Sequence, residues 1–269
     1  MRITCLGASL GVPLLVAALA TPFVTAPLLA QDADTFRWSG PVASARWVTV
    51  RNLNGDVRVE RATGRDVEIV ARKRWTRGNP ADVRITMVRG GAGDGDVVVC
   101  ALWGENGHCG AGDEYRAGRS NVRGNVSVEF TIRVPDGVKL DLRTTNGALA
   151  ITGATAEVRA HTVNGGIDAR SLGGPVLART TNGGINVRMG DSGSEDLEYS
   201  TTNGSIEIEM PAGLNADVEM RTTNGGISSD FPLTVQGRWN SKRVNGRIGE
   251  GGRRLVAKTT NGEIALRRS

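Results

Sequence analysis

The feature that most constrains this chain is a four-residue string that keeps returning. Thr-Thr-Asn-Gly stands at 144–147, 180–183, 201–204, 222–225 and 259–262, with the variants Thr162-Val163-Asn164-Gly165 and Arg243-Val244-Asn245-Gly246. The asparagines, Asn146, Asn164, Asn182, Asn203, Asn224, Asn245 and Asn261, are spaced 18, 18, 21, 21, 21 and 16 residues apart. A nearly constant period over seven copies defines a repeat architecture. One more copy, Asn54-Gly55, stands isolated upstream.

Aligned on Asn, the copies share an apolar pattern. Six and four residues before it stand pairs such as Leu140/Leu142, Val158/Ala160, Val176/Ala178, Leu197/Tyr199, Val218/Met220 and Leu255/Ala257. Three and five residues after it stand Leu149/Ile151, Ile167/Ala169, Ile185/Val187, Ile206/Ile208 and Ile264/Leu266. Period two on both sides means two short strands, each with one face toward a core. The Asn-Gly between them reads as a turn that needs positive φ, which those residues tolerate best. The copy around Asn245 departs from the pattern through Trp239, Ser241 and Arg243, and reads as a bulge or frayed coil. With 37 Gly and 9 Pro in 269 residues, long helices are disfavoured.

Two architectures fit this alternation. Asn-Gly hairpins would give an antiparallel meander, whereas Asn-Gly corners would give a parallel β-solenoid, or β-helix, in which equivalent strands stack. The steady period and the identical corner residues favour stacking, with asparagine side chains hydrogen-bonded along a ladder.

Upstream, residues 31–135 have a different texture. Runs such as Val67-Glu68-Ile69-Val70, Val97-Val98-Val99 and Val126–Ile132 read as longer strands. This N-terminal β region is expected to cover the first coil of a solenoid spanning 136–269, whose far edge Arg267 and Arg268 would blunt by charge. Residues 1–30 read as a secretory signal peptide: Met1-Arg2, an uncharged stretch centred on 14–19, then Leu28-Leu29-Ala30 before the cut. Pro13, Pro22 and Pro27 argue against its retention as a membrane anchor. Its removal leaves a net charge of +4, because Arg2 is the one charge lost, and no later segment is apolar for long enough to span a bilayer. The protein is thus expected in the periplasm or at the cell surface. There Cys100 and Cys109, with eight residues between them, would close a disulfide.

Val134-Pro135-Asp136-Gly137, then Leu140-Asp141-Leu142-Arg143-Thr144-Thr145-Asn146-Gly147, and the recurrent Thr-Thr-Asn-Gly-Gly-Ile resemble the bacterial candidate-adhesin family of β-strand-repeat domains. The resemblance covers roughly residues 45–266. It implies an exported β-helical domain and brings no catalytic residue with it.

Chemistry-bearing clusters are sparse. His108 and His161 lie in unrelated regions, neither beside a recognisable nucleophile. The outward carboxylates Asp141, Asp168, Glu198, Glu207 and Glu219 are scattered among the copies, where polysaccharide lyases and hydrolases of β-helix type gather theirs. The stretch 90–96 is a single glycine-rich loop with no partner copy to complete a calcium site. No cofactor or metal is expected.

One surface feature recurs. Three residues before successive asparagines, on the outward side, stand Arg51, Arg143, His161, Arg179, Ser200, Arg221, Lys242 and Lys258, and nearer the turn Thr145, Thr181, Thr202, Thr223 and Thr260. Stacked cations repel, so Arg143, Arg179, Arg221, Lys242 and Lys258 read as a ligand stripe, unless Asp141, Glu198 and Glu219 simply neutralise a solvated face. The expected role is a non-enzymatic binding, adhesion or structural surface of the cell envelope. Its partner would be an anionic glycan, lipopolysaccharide or an envelope protein, and not nucleic acid. A β-helical lyase or hydrolase and an envelope-stress accessory protein are the alternatives. The leader makes a direct prediction: intact-mass analysis of the exported protein should find residues 1–30 gone and Gln31 at the N-terminus.

Overall fold

Each complete repeat folds as a strand, a corner and a second strand, and the coils so formed stack in parallel. A computed structural model describes residues 34–90, 95–111, 114–118, 125–190, 193–235 and 241–269; the leader and Trp239 lie outside them. The strands before the asparagines form a front sheet in the spatial order Trp47–Arg51, Lys139–Arg143, Val158–His161, Val176–Arg179, Leu197–Ser200, Arg254–Lys258, Ala216–Arg221. Those after them form a back sheet in matching order: Val57–Arg61, Leu149–Ala154, Ile167–Ser171, Ile185–Met189, Ile206–Met210, Ile264–Arg268, Ile227–Ser229. All these neighbours pair parallel, and equivalent residues lie opposite one another. Stacking, not a meander, is the outcome.

Between the sheets lies the core that the alternation predicts. Val176, Ala178, Ile185 and Val187 of one coil are all buried, and every other coil contributes its own set. A fully buried aliphatic side chain contributes roughly 1.5–3 kcal/mol, so burial across the sheets is the main stabilising term. Tyr199, fully buried, sits opposite Ala178 on one side and Ala257 on the other, one large residue between two small ones.

The corner is where the structure corrects the sequence reading. Asn-Gly is not a hairpin turn with both residues at positive φ: no corner asparagine has positive φ, while of the corner glycines Gly55, Gly183, Gly204 and Gly262 do and Gly147, Gly165 and Gly225 do not. At these corners glycine is needed for a second reason, shared by those with and without positive φ. A Cβ built on Gly147, Gly165, Gly183, Gly204, Gly262 or Gly225 would overlap the carbonyl oxygen of the corner glycine in the adjacent coil. That same oxygen accepts a hydrogen bond from the buried first threonine: Thr162 Oγ1 to Gly147 at 2.8 Å, Thr180 to Gly165 at 2.9 Å, Thr201 to Gly183 at 2.9 Å. Asparagine amides complete the corner: in the spatial order Asn54, Asn146, Asn164, Asn182, Asn203, Asn261, Asn224, each Nδ2 donates to the Oδ1 of the asparagine before it at 2.7–2.8 Å.

Asn54 is therefore a full member of the ladder, and the stack begins with Trp47–Arg61, inside the stretch assigned from sequence to the N-terminal region. At that coil Asn52 replaces the first threonine and donates to the carbonyls of Gly55 and Val128. Asn245 is not a member. Val244, Gly246 and Ile248 are all buried on one face of the straight strand Arg243–Ile248, so alternation runs through Asn245-Gly246 without a corner. The cause is local: Ser241 and Glu250 occupy positions where a coil needs apolar residues. That strand runs antiparallel to Ala216–Arg221 and, with Thr234–Val235, covers the end of the front sheet.

Chain order and stack order also differ. The last repeat, Arg254–Lys258 and Ile264–Arg268, inserts between the coils of Leu197–Met210 and Ala216–Ser229. Arg267 and Arg268 thus lie on an interior strand and blunt no edge. At the opposite end the N-terminal region does cover the first coil: Val97–Trp103 and Ser127–Val134 pair with its two strands, and Val83–Arg89, Asp66–Arg74 and Thr35–Pro41 extend the sheets outward.

The corner contact sets a measurable expectation. Gly183→Ala should push adjacent coils apart and cost roughly 3 kcal/mol or more, while Gly64→Ala, whose Cβ would meet nothing within 4 Å, should be near neutral. Melting temperatures of the two variants decide it.

Candidate functional site: the outward face of the front sheet

Parallel, in-register stacking turns a repeated position into a column. Three residues before the asparagines, the outward column of the front sheet reads Arg51, Arg143, His161, Arg179, Ser200, Lys258, Arg221 in space. Four of the five stripe residues are therefore brought together. Lys242 is not: it lies past the last coil, its carbonyl accepting from the Thr222 N–H, and the residue in register with Arg221 is Arg243.

The column has a covered end. Val98, Cys100 and Leu102 point outward from the strand beside Trp47–Arg51 and form a small apolar cluster with Val88, Cys109 and Tyr115. The Cys100–Cys109 disulfide, with Cα atoms 5.9 Å apart, ties this cover down, and Tyr115 donates its hydroxyl to Ala101 O at 2.9 Å. Burial pushes the Tyr115 phenol well above its ordinary pKa. Arg51, in register with Cys100, is 3% exposed and is held by Asp141 at 2.7 Å.

Beyond the cover the face opens into a groove of about 340 Å³ and, continuous with it, one of about 780 Å³; both are lined by His161, Arg179, Glu198 and Ser200. Asp141 serves Arg143 at 3.2 Å as well as Arg51. At the far end Glu219 pairs with Lys258 at 3.0 Å and lies 3.9 Å from Arg254. Each of these acids is outnumbered by cations. Arg179, Arg221 and Glu198 make no ion pair among the described residues. Along the rim, Thr181, Thr202, Thr223 and Thr260 are exposed, and their hydroxyls form no hydrogen bond among the described residues.

The groove's flank is already committed. Trp47 is sandwiched by Arg159 at 4.4 Å and Lys139 at 5.4 Å, and both cations also pair with Glu157. On the back sheet the outward cations Arg133, Arg170, Arg188 and Arg267 each carry an acidic partner. Arg58 and Arg72, also exposed on the back sheet, make no ion pair among the described residues, so what distinguishes the front groove is the alignment of its cations in one open column. The alternating pattern announces this column, but nothing in the sequence announces the Trp47 sandwich, the cover over Arg51 or the order of Lys258 before Arg221.

His161 sits in this field. Its burial, and next the Arg143 and Arg179 guanidinium groups, disfavour the imidazolium, with a smaller contribution from Arg51; Asp141 opposes them, and the net effect holds its pKa below the ordinary value. As pH falls below about 6.5 the unfolded chain takes up this proton before the folded one, so stability declines on acidification from that point. His161→Gln should flatten the acidic limb of a melting-temperature profile while leaving stability above pH 7 nearly unchanged.

Fold and site define a two-sheet parallel β-solenoid with a cationic outer groove. The chain belongs to the Toastrack DUF4097 family, whose sequence profile matches residues 41–267, in agreement with the resemblance carried by the Thr-Thr-Asn-Gly-Gly-Ile repeats. No curated protein matches it. Among solved structures, a candidate cell-adhesion protein from Clostridium sporogenes ATCC 15579 is 9% identical with a TM-score of 0.41, covering 87% of this chain and 100% of its own. A candidate adhesin from Bacteroides fragilis NCTC 9343 is 10% identical with a TM-score of 0.30, covering 88% and 98%. Another, from Parabacteroides merdae ATCC 43184, is 10% identical with a TM-score of 0.28, covering 89% and 98%. No helix among the described residues is long and apolar enough to cross a membrane.

Proposed function

We propose that the protein is an exported, non-enzymatic binding surface of the cell envelope, and that its front groove receives an anionic glycan. The observation that carries this reading is the alignment of Arg143, Arg179, Lys258 and Arg221 in one open groove beside a row of unengaged threonine hydroxyls. Guanidinium groups recognise carboxylates through paired hydrogen bonds, and hydroxyls suit the neutral groups of a sugar. Lys258 and Arg221 stand on neighbouring rungs at the strand spacing of about 4.8 Å, where like charges repel, a cost that an anionic ligand lying along the stack would relieve. Export follows from the leader, and the disulfide fits an oxidising compartment.

The test reverses the charge. Replacing Arg143, Arg179, Arg221 and Lys258 together by Glu should lower affinity for anionic envelope glycans roughly 100-fold or more and flatten its salt dependence. Reversing the exposed Arg65, Arg72, Arg77 and Arg84, which lie off the groove, should change it little. Binding isotherms at two salt concentrations, with melting temperatures as the folding control, make the comparison. Equal loss in both variants would show that bulk charge, and not the groove, attracts the ligand.

A further inference from the structure

Cations do not occupy every rung of the column. Arg143 is followed by His161, then Arg179, then Ser200, then Lys258. From Arg143 to Lys258 positive charge therefore recurs at every second strand, two strand spacings or roughly 9.6 Å apart, and Arg221 stands on the rung directly after Lys258. The intervening rungs differ in kind. At one stands the imidazole of His161, whose pKa burial, and next its guanidinium neighbours, hold below the ordinary value. At the other, Glu198 stands two residues before Ser200 on the same outward face: an exposed carboxylate that lines both parts of the groove and pairs with no cation among the described residues. An acid that stabilises nothing around it, placed between two cations, acts against some ligands while the cations act for others.

We propose that the groove selects linear glycans carrying one carboxylate per disaccharide, laid along the stack with charged sugars at Arg143, Arg179 and Lys258 and neutral sugars at His161 and Ser200. The inference rests on the binding role argued above and specifies its ligand. An extended pyranose chain advances by about one strand spacing per sugar, so a disaccharide spans two rungs. A polymer charged on every sugar, or a polyphosphate, would set an anion against Glu198 and another at His161, where the column holds no guanidinium or ammonium group. Thr181 and Thr202, on the rungs of Arg179 and Ser200, face the sugar hydroxyls.

The experiment titrates the exported protein with size-matched oligomers of hyaluronan, with one carboxylate per disaccharide, of alginate, with one per sugar, and with inorganic polyphosphate, at two salt concentrations. Hyaluronan should bind at least about tenfold more tightly than either dense polyanion, and Glu198→Gln should narrow that ratio at least about threefold by raising affinity for alginate. Because Glu198 is exposed and unpaired, the variant should melt with the parent protein. Equal or tighter binding of alginate, or a ratio unmoved by Glu198→Gln, overturns the proposed spacing while leaving a cationic binding groove in place. Binding of none of the three overturns both readings together.

Discussion

The stack depends on an approach too close for any side chain. At each corner one glycine backbone lies against the carbonyl oxygen of the corner glycine in the neighbouring coil, and only hydrogen fits between them. The threonine hydroxyl and the asparagine amide then find their acceptors at hydrogen-bonding distance. With the corner pinned in this way, no coil can slip by one residue, a slip that would turn every core side chain out to solvent. Register fixed at one point therefore secures both the continuous core and the continuous outward columns. The candidate site is a by-product of the same constraint: whatever stands three residues before the corner is repeated in space at the strand spacing.

How much of this was legible follows from where each signal resides. Inward and outward assignments are local, so the burial of Ile185 beside the exposed Asn186 could be read from alternation alone. Parallel stacking was favoured by the period but depended on the corner, whose reason for glycine is a contact between coils and leaves no mark within one repeat. Asn54 seemed isolated because 92 residues separate it from its ladder partner Asn146, and the intervening chain leaves the stack to build the cover. Asn245-Gly246 misled in the opposite direction, a corner motif without the two apolar pairs that a coil must bury. The insertion of the last repeat was invisible because the coils present nearly the same interface to one another.

The site divides in the same way. The column of cations was legible as a pattern, but its boundaries are set by long-range packing. The disulfide-tied cover turns Arg51 into a buried partner of Asp141 and so decides where the groove begins. At the other end, Arg243–Ile248 takes the edge of the front sheet, which leaves Lys242 off the column. What lies between is an open strip of finite length, so the number of anions that it can engage is set by the number of coils.

The position of the last repeat has a consequence for the order of folding. The coil of Ala216–Arg221 and Ile227–Ser229 has no parallel neighbour until Arg254–Lys258 and Ile264–Arg268 arrive, because those strands are the ones it pairs with on its inner side. The stack can be built from the front in chain order only as far as Leu197–Met210, and the next coil must then wait for Arg254–Lys258 and Ile264–Arg268. A chain cut short within the last repeat would not merely be one coil shorter: it would hold a gap flanked by two unpaired edges, the kind of surface that recruits proteases and aggregating partners. The stack thus closes like a zip whose final tooth sits in the middle.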